Sequence, residues 1–432
     1  MAVVMKFGGV ALRDGDGMRR AAAIVAQAGG GRVVVASAMA GVTDRLRAAL
    51  ADARRDPATV QGTLDALRHQ HLAALGDAAG AAETDALAAL LERLARLLHG
   101  VALTQEVTPR LRDLAQSFGE RLAVTTLAAV LRATGTPAAA FDAEAARVLT
   151  LGPFGNANPD LAGLRRECAP RLRAALAAGQ VPVVTGYYGI DADGNPTLFG
   201  RGGSDFVAAL VAHALRAEAL ELWKDVPGFL TADPRAVAGA CLVAELRYDE
   251  AAELANYGAR ILHPRTVEPL EADRIPLRIR PLADPAAPGT LIRAEPTPAA
   301  HPARSVATLP DVAIVRLGGA GMASTPGMGE RILAPLAAAG INVINLAAGG
   351  ASFALLLDGA DASRAQAALA PLVGGPLHAM DARSDRTLVC VVGRGLGQAP
   401  GAAAAILGAV GDAGVNVEMI SLGASDIAID FV

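Results

Sequence analysis

Val3-Val4-Met5-Lys6-Phe7-Gly8-Gly9 is an apolar run, broken by one lysine, that stops on two glycines. Helical periodicity follows over Met18–Gln27, and Arg32–Ala36 is a second apolar run with three valines at its centre. Strand, loop, helix, strand is the opening of an α/β sheet. Parallel strands covered by helices on both faces read as unbroken apolar runs rather than alternating ones. Further along, Asp44–Leu131 is dominated by helical spacing, rich in Ala, Leu and Arg. Strand-like runs return at Pro137–Phe141, Val181–Thr185, Leu220–Trp223 and Leu277–Ile279, with helices after Ser204 and over Asp249–Gly258. These runs place one α/β domain over residues 1–290.

A Pro- and Ala-rich stretch over Pro285–Arg304 leads to a linker set at 291–307. An internal repeat follows. Gly319-Ala-Gly-Met, Pro326-Gly327, Ile332-Leu333 and Gly340-Ile-Asn342-Val343 recur 74 residues later as Gly393-Arg-Gly-Leu, Pro400-Gly401, Ile406-Leu407 and Gly414-Val-Asn416-Val417. Each copy reads strand, turn, helix, strand, strand, giving two small α+β modules, 308–381 and 382–432. The second reaches Val432 just after its third strand, where a βαββαβ module needs another helix and strand. It reads as incomplete: shortened, finished by a partner, or part of a longer chain.

The 432 residues carry 39 Lys+Arg against 43 Asp+Glu, a net charge of −4, which argues against a nucleic-acid or polybasic membrane binder. With 52% hydrophobic and 19% charged residues the chain is not a disordered one. Cys168, Cys241 and Cys390 lie far apart with no CxxC spacing, which speaks against zinc and suits a reducing compartment. No run approaches the ~20 apolar residues that span a bilayer, and no signal peptide is evident. The expectation is a soluble, cytoplasmic, multidomain enzyme.

The chemistry concentrates in a few motifs. In KFGG, glycines at a strand end let backbone N–H groups approach a phosphate and Lys6 supplies a point charge; a tight turn with a surface lysine explains the same residues. Phe199-Gly200-Arg201-Gly202-Gly203-Ser204-Asp205 is the stronger signal, because it opens a clean helix at Phe206. Helix capping accounts for Ser204 and Asp205, but not for three glycines and an arginine. Trp223-Lys224-Asp225-Val226-Pro227-Gly228 and Thr231-Ala232-Asp233-Pro234-Arg235 suit either a nucleotide rim or two solvated turns. In Tyr257–Arg265, Arg260 can reach a phosphate, while His263, just before a proline, reads as structural. Ser37–Thr43 and Ser117–Arg121 are weak signals alone. No Ser/His/Asp or Cys/His constellation is evident, which weakens a hydrolase reading.

Together KFGG, SAMAGVT, SFGERL, FGRGGSD, LWKDVPGFLTADPR and YGARILHPRTVEPL, in this order and spacing, resemble the aspartate kinases of the amino-acid kinase superfamily, and the repeat resembles their paired ACT modules. The resemblance implies a three-layer α/β kinase fold with a mainly parallel sheet, followed by two ferredoxin-like modules. It also implies ATP-dependent phosphorylation of the L-aspartate side-chain carboxylate. By the family pattern Lys6 holds the transferring phosphoryl group and Asp205 organises the basic groups. Ser37, Thr43, Glu120, Arg201, Gly202 and Ser204 line the aspartate pocket, Glu120 taking the ammonium and Arg201 a carboxylate. Gly8, Gly9, Lys224, Asp225, Arg235 and Arg260 attend ATP, with Mg²⁺ carried by the nucleotide and no protein metal site. Met322, Asn342 and Asn416 are candidate effector positions for lysine or threonine, and the ACT region implies a homodimer. The sequence also departs from the pattern. Val10-Ala11-Leu12 replaces Thr-Ser-Val, Lys224 a threonine, Leu230 a tyrosine and Arg260 a lysine, and Leu346–Ser352 lacks polar residues common in feedback-sensitive enzymes. A chemical reason supports the whole: a carboxylate is already nucleophilic at pH 7, so the work is to bring two anions together, which needs cations and backbone amides rather than a general base.

Overall fold

The strand carrying Lys6, β1 (Ala2–Phe7), lies between β2 (Gly31–Ala36) and a later strand of the same direction. Its neighbours complete an eight-stranded sheet: β3 (Ala138–Phe141), β4 (Val181–Thr185), β5 (Ala219–Lys224), β6 (Glu245–Leu246), β7 (Leu277–Pro281) and β8 (Thr290–Ile292). The order is β6-β8-β7-β5-β1-β2-β4-β3, parallel except for β7 against β8 and for β6, which runs with β8. This computed structural model describes residues 2–258, 261–297, 301–322, 325–375, 377–422 and 425–432. It divides into two units. The first comprises residues up to Phe229 with Ala244–Ala252 and Ile261–Pro296; the second comprises Leu230–Val243, a segment starting at Glu253, and Thr297–Val432.

In the first unit, helices α1 (Gly15–Gln27), α2 (Val42–Arg55), α3 (Thr59–Leu75), α4 (Ala81–Thr104) and α5 (Pro109–Ala133) share one core with Met5, Phe7, Val34, Ala36 and Val183. Asp14 starts α1 by accepting the Gly17 N–H, and Thr108 with Pro109 starts α5. Successive strand residues face opposite ways, so Val4 and Lys6 look to the other face. There α6 (Ala169–Ala177) and α7 (Gly203–Leu215) lie, and α7 is buried almost all round. Helices, sheet, helices are the three layers expected from the sequence.

The second unit is one six-stranded antiparallel sheet built from β9 (Ser305–Gly318), β10 (Asn345–Gly349), β11 (Ser352–Asp358), β12 (Ala379–Val392), β13 (Ile420–Ser421) and β14 (Ala428–Phe431). The order is β10-β11-β9-β12-β14-β13, with helices α8 (Met328–Ala338), α9 (Ala362–Leu369) and α10 (Ala402–Asp412). Val312–Gly318 of β9 pairs with β11 and with Ala379–Arg386 of β12, so the first module is a complete ferredoxin-like unit. Ser305–Leu309 of the same strand pairs with Leu388–Val392, beside β14. The fourth strand that the second module lacked in the repeat is therefore supplied from ahead of the first. Both long strands change register at this junction, where Asp311 and Asp385 take positive φ (59° and 57°). The stretch 291–307 is accordingly not all linker: Leu291 and Ile292 belong to β8, and Ser305–Ala307 to β9.

Candidate active site

The C-terminal ends of β1 and β2 and the start of α7 converge on a cavity of about 330 Å³, the usual ligand position in a parallel α/β sheet. Its walls include Lys6, Gly9, Ser37, Thr43, Glu120, Gly202, Ser204 and Asp205, and also Met39, Asp44 and Tyr187. Eight residues chosen from four separate motifs thus meet in one place. Gly9 is a close approach: a Cβ there would stand 2.9 Å from the Ala38 carbonyl oxygen. Gly202 has φ +72°, and a Cβ on it would overlap the His263 ring at 2.3 Å. His263 therefore packs under the glycine turn, as a structural histidine would.

Electrostatically the cavity has two poles. At one, Lys6 Nζ lies 2.5 Å from Asp205 Oδ1, and Lys224 Nζ donates to Asp205 Oδ2 at 2.7 Å. The register explains the pairing. Leu222 of β5 stands opposite Lys6, so Lys224, two residues on, projects from the same face, toward the first turn of α7 where Asp205 sits. Burial alone would raise the Asp205 carboxyl, but the two ammonium groups hold it well below the usual carboxylate range. Burial lowers the Lys6 ammonium, and Lys224 lowers it further against the pull of Asp205. Two cations share one anion, leaving an excess positive charge in a dry place, which favours an anionic ligand.

At the other pole is Glu120, only 2% exposed on α5. One of its oxygens accepts the Ala38 N–H at 3.0 Å and the other is buried without a partner. Burial pushes its carboxyl up to about 8. A buried acceptor with an open lone pair suits a cationic donor such as an ammonium.

The remaining expected residues fall elsewhere. Gly8 touches the Lys6 ammonium side of the loop, where its Cβ position is 3.4 Å from Nζ. Arg201 and Asp225 are exposed, on the turns beside Gly202 and Lys224. Arg235 belongs to the segment grouped with the second unit; its side chain is 90% exposed and forks onto Asp233 at 2.7 Å. A local partner two residues away thus takes the guanidinium expected at a nucleotide. Arg260 lies outside the described residues. In the second unit Met322 is a core residue packed with Val315, Ile332 and Leu355, because its long apolar side chain fills the space under α8. Asn342 and Asn416 are exposed.

Three supporting residues were given no role by the sequence reading. Tyr187 lines the cavity with φ +67° and donates to Gln116 Oε1 at 3.1 Å. It stands just past the end of β4, as Ser37 stands past β2, so the strand-end rule was the available signal. Asp113 accepts the N–H groups of Gly155 (2.7 Å) and Leu198 (2.9 Å), fixing the approach to the glycine turn. Arg121, next to Glu120, is buried between the Phe118 and Tyr188 rings and pairs with Asp142 and Glu144. Among the described residues no group of three or more His, Cys, Asp or Glu is arranged to hold a metal, and no helix is long and apolar enough to cross a membrane.

Comparison with known proteins gives the family. The model of the amino acid kinase family matches residues 1–281, and an ACT domain model matches 389–432. Lysine-sensitive aspartokinase 3 of Escherichia coli is 33% identical over 443 residues, covering 100% of this chain and 95% of that protein. Chloroplastic aspartokinase 3 of Arabidopsis thaliana is 36% identical over 297 residues, covering 68% of this chain and 53% of that one. The crystal structure of E. coli aspartokinase III in complex with aspartate and ADP superposes with a TM-score of 0.84 at 32% identity, over 100% of this chain and 96% of that one. The structure of the same enzyme with lysine and aspartate gives 0.83 at 33% identity, over 100% and 95%. The chain belongs to the amino acid kinase family, and within it to the aspartokinases. It is a kinase, a phosphotransferase.

Proposed function

We propose that the protein transfers the γ-phosphoryl group of ATP to the side-chain carboxylate of L-aspartate, forming 4-phospho-L-aspartate. The observation that carries this reading is the two-pole cavity: a buried carboxylate with an open oxygen, Glu120, across from a cationic pair on Asp205. The Glu120 oxygen takes the substrate ammonium, and Arg201, on its glycine turn, closes on a substrate carboxylate. Ser37, Thr43, Gly202 and Ser204 line the remaining wall. Lys6 holds the phosphoryl group in flight, Asp205 keeps Lys6 in place, and Gly8 and Gly9 offer backbone amides to the phosphates. Asp225 lies along the nucleotide. Asp205 is already bound by two ammonium groups and Glu120 by a backbone N–H, so the side chains fit Mg²⁺ arriving on the triphosphate rather than held in a protein cage; there it offsets phosphate charge. No general base is required, since the attacking carboxylate is ionised at pH 7.

The same proposal extends to regulation. The E. coli relative is named lysine-sensitive, and its structure has been determined with lysine, so lysine is the effector proposed here. The exposed apolar side chains of Leu346 on β10 and of Ile420 on β13 lie on the two outer strands of the second unit's sheet, and they favour a homodimer formed through that unit. The unpaired cysteines suit the cytoplasm. The test is hydroxylamine trapping of acyl phosphate with ATP, Mg²⁺ and L-aspartate, beside L-glutamate and a blank without amino acid. Aspartate-dependent hydroxamate, suppressed by added lysine, is expected. Hydroxamate with glutamate alone, or none from folded protein, refutes the substrate assignment.

A further inference from the structure

We infer that Lys224 is a second phosphoryl-holding group, so that this chain grips the γ-phosphate with two ammonium groups mounted on one carboxylate. The inference rests on the proposed kinase reaction and deepens it, because the sequence placed Lys224 only among the residues attending ATP. Three observations carry it.

First, one carboxylate mounts both ammonium groups. Asp205 gives one oxygen to Lys6 (2.5 Å) and the other to Lys224 (2.7 Å). A carboxylate used in this way fixes the spacing and height of both ammonium groups, which is what a tetrahedral oxyanion needs from two donors. Second, the placement is strand-made. β1 and β5 are adjacent and parallel, and both lysines stand at C-terminal strand ends on the same face, in front of the α7 N-terminus. Third, the exposures differ. The Lys6 side chain is 6% exposed and that of Lys224 19%, so Lys6 is the deeper of the two and Lys224 the nearer to solvent. A lysine needed only to neutralise Asp205 would be redundant, because Lys6 already does so. The pair instead leaves one uncompensated positive charge for the incoming phosphate. Lys224 stands where the resemblance leads one to expect threonine, so the second cation belongs to this chain's own solution.

The test uses the full chain and three variants, Lys224→Met, Lys224→Thr and Lys224→Arg. Binding of ATP and of ADP is measured by calorimetry without aspartate, and turnover by hydroxamate formation. If Lys224 holds the γ-phosphate, Lys224→Met lowers the preference for ATP over ADP at least tenfold. It lowers kcat at least tenfold while the aspartate KM stays within twofold, and Lys224→Arg recovers part of both. The alkaline limb of kcat also moves to higher pH, because a neighbouring cation no longer depresses Lys6; Asp205 and Glu120 are the other charged groups facing Lys6 and are unchanged. An unaltered ATP-to-ADP preference in folded Lys224→Met or Lys224→Thr protein overturns the inference and leaves Lys224 a counter-ion of Asp205. Should the wild-type protein form no aspartyl hydroxamate, the reaction assignment fails, yet the ATP-to-ADP comparison still decides the role of Lys224.

Discussion

If Glu120 takes the substrate ammonium, as proposed, the aspartate KM is a steep function of pH. The Glu120 carboxyl is pushed up to about 8 from 4.5, because burial outweighs the Ala38 N–H and the Lys6 charge. The substrate ammonium needs the ionised form. Binding therefore expels a proton at every pH below about 8, at a cost of about 1.4 kcal/mol per pH unit. About 1% of the sites are ionised at pH 6 and about half at pH 8, so KM should fall about fifty-fold between them and level off above. Steady-state kinetics at fixed saturating ATP from pH 6 to 9 reads this directly. Glu120→Gln keeps an acceptor for Ala38 but loses the charge. Its KM should be flat with pH and, at pH 8.5, about ten- to a hundred-fold above wild type, the usual worth of a charge-assisted hydrogen bond. Stability moves in the opposite sense. A carboxyl raised in the folded state holds a proton that the unfolded chain releases above pH 4.5. Its contribution to stability is thus full at low pH and is lost as pH rises from 4.5 to about 8. Glu120→Gln should melt above wild type, with the gap widening from pH 6 to 8. A wild-type KM that is level from pH 6 to 8, or a Gln variant that keeps the slope, refutes the role given to Glu120.

Other expectations follow from single contacts. Arg121→Met removes the partner of Asp142 and Glu144, which are each about one-third exposed, and should cost about 1.5–3 kcal/mol in urea unfolding; a loss under about 0.5 kcal/mol would show that solvent already satisfies both carboxylates. Gly202→Ala needs positive φ and a displaced His263 ring, so turnover should drop at least tenfold with a lower melting temperature. A fully active, equally stable variant contradicts the described turn. Ala307→Asp puts a carboxylate into the buried pairing with Cys390 at a cost of several kcal/mol. Calorimetry should show the second unit melting earlier, and the proposed lysine response should vanish; unchanged melting would mean that β9 pairs otherwise in solution.

The α/β unit was legible because local chemistry agrees with global position. Buried parallel strands must be apolar throughout, and the glycine-rich FGRGGSD turn ahead of a clean helix stood out, whereas Lys6 and Ser37 gained weight only once all the motifs were taken together. The partner relations between distant strands were not. That Lys224 shares Asp205 depends on β1 and β5 becoming neighbours with a particular register, which no spacing in the chain encodes. Tyr187 was marked only by its place just past a strand end, because a non-glycine residue with positive φ has no compositional sign. Arg235 and Met322 looked functional by motif, but one found an acid two residues away and the other a hydrophobic core. The second module looked unfinished because its fourth strand lies some 80 residues upstream, in a stretch whose prolines and alanines resemble a tether.

That arrangement bears on how the chain can be inherited. The duplicated motifs, Gly319–Val343 and Gly393–Val417, suggest two exchangeable cassettes with a seam between them. No such seam exists in three dimensions. β9 and β12 each run through both halves of the sheet and turn the corner at Asp311 and Asp385. Gain or loss of one half without the other would leave β9 or β12 short of a pairing partner and bare an unpaired edge to aggregation. Sensitivity to an effector can therefore be transplanted between such enzymes only by moving the sheet as a whole, and a gene that acquires half of it gains a liability rather than a sensor.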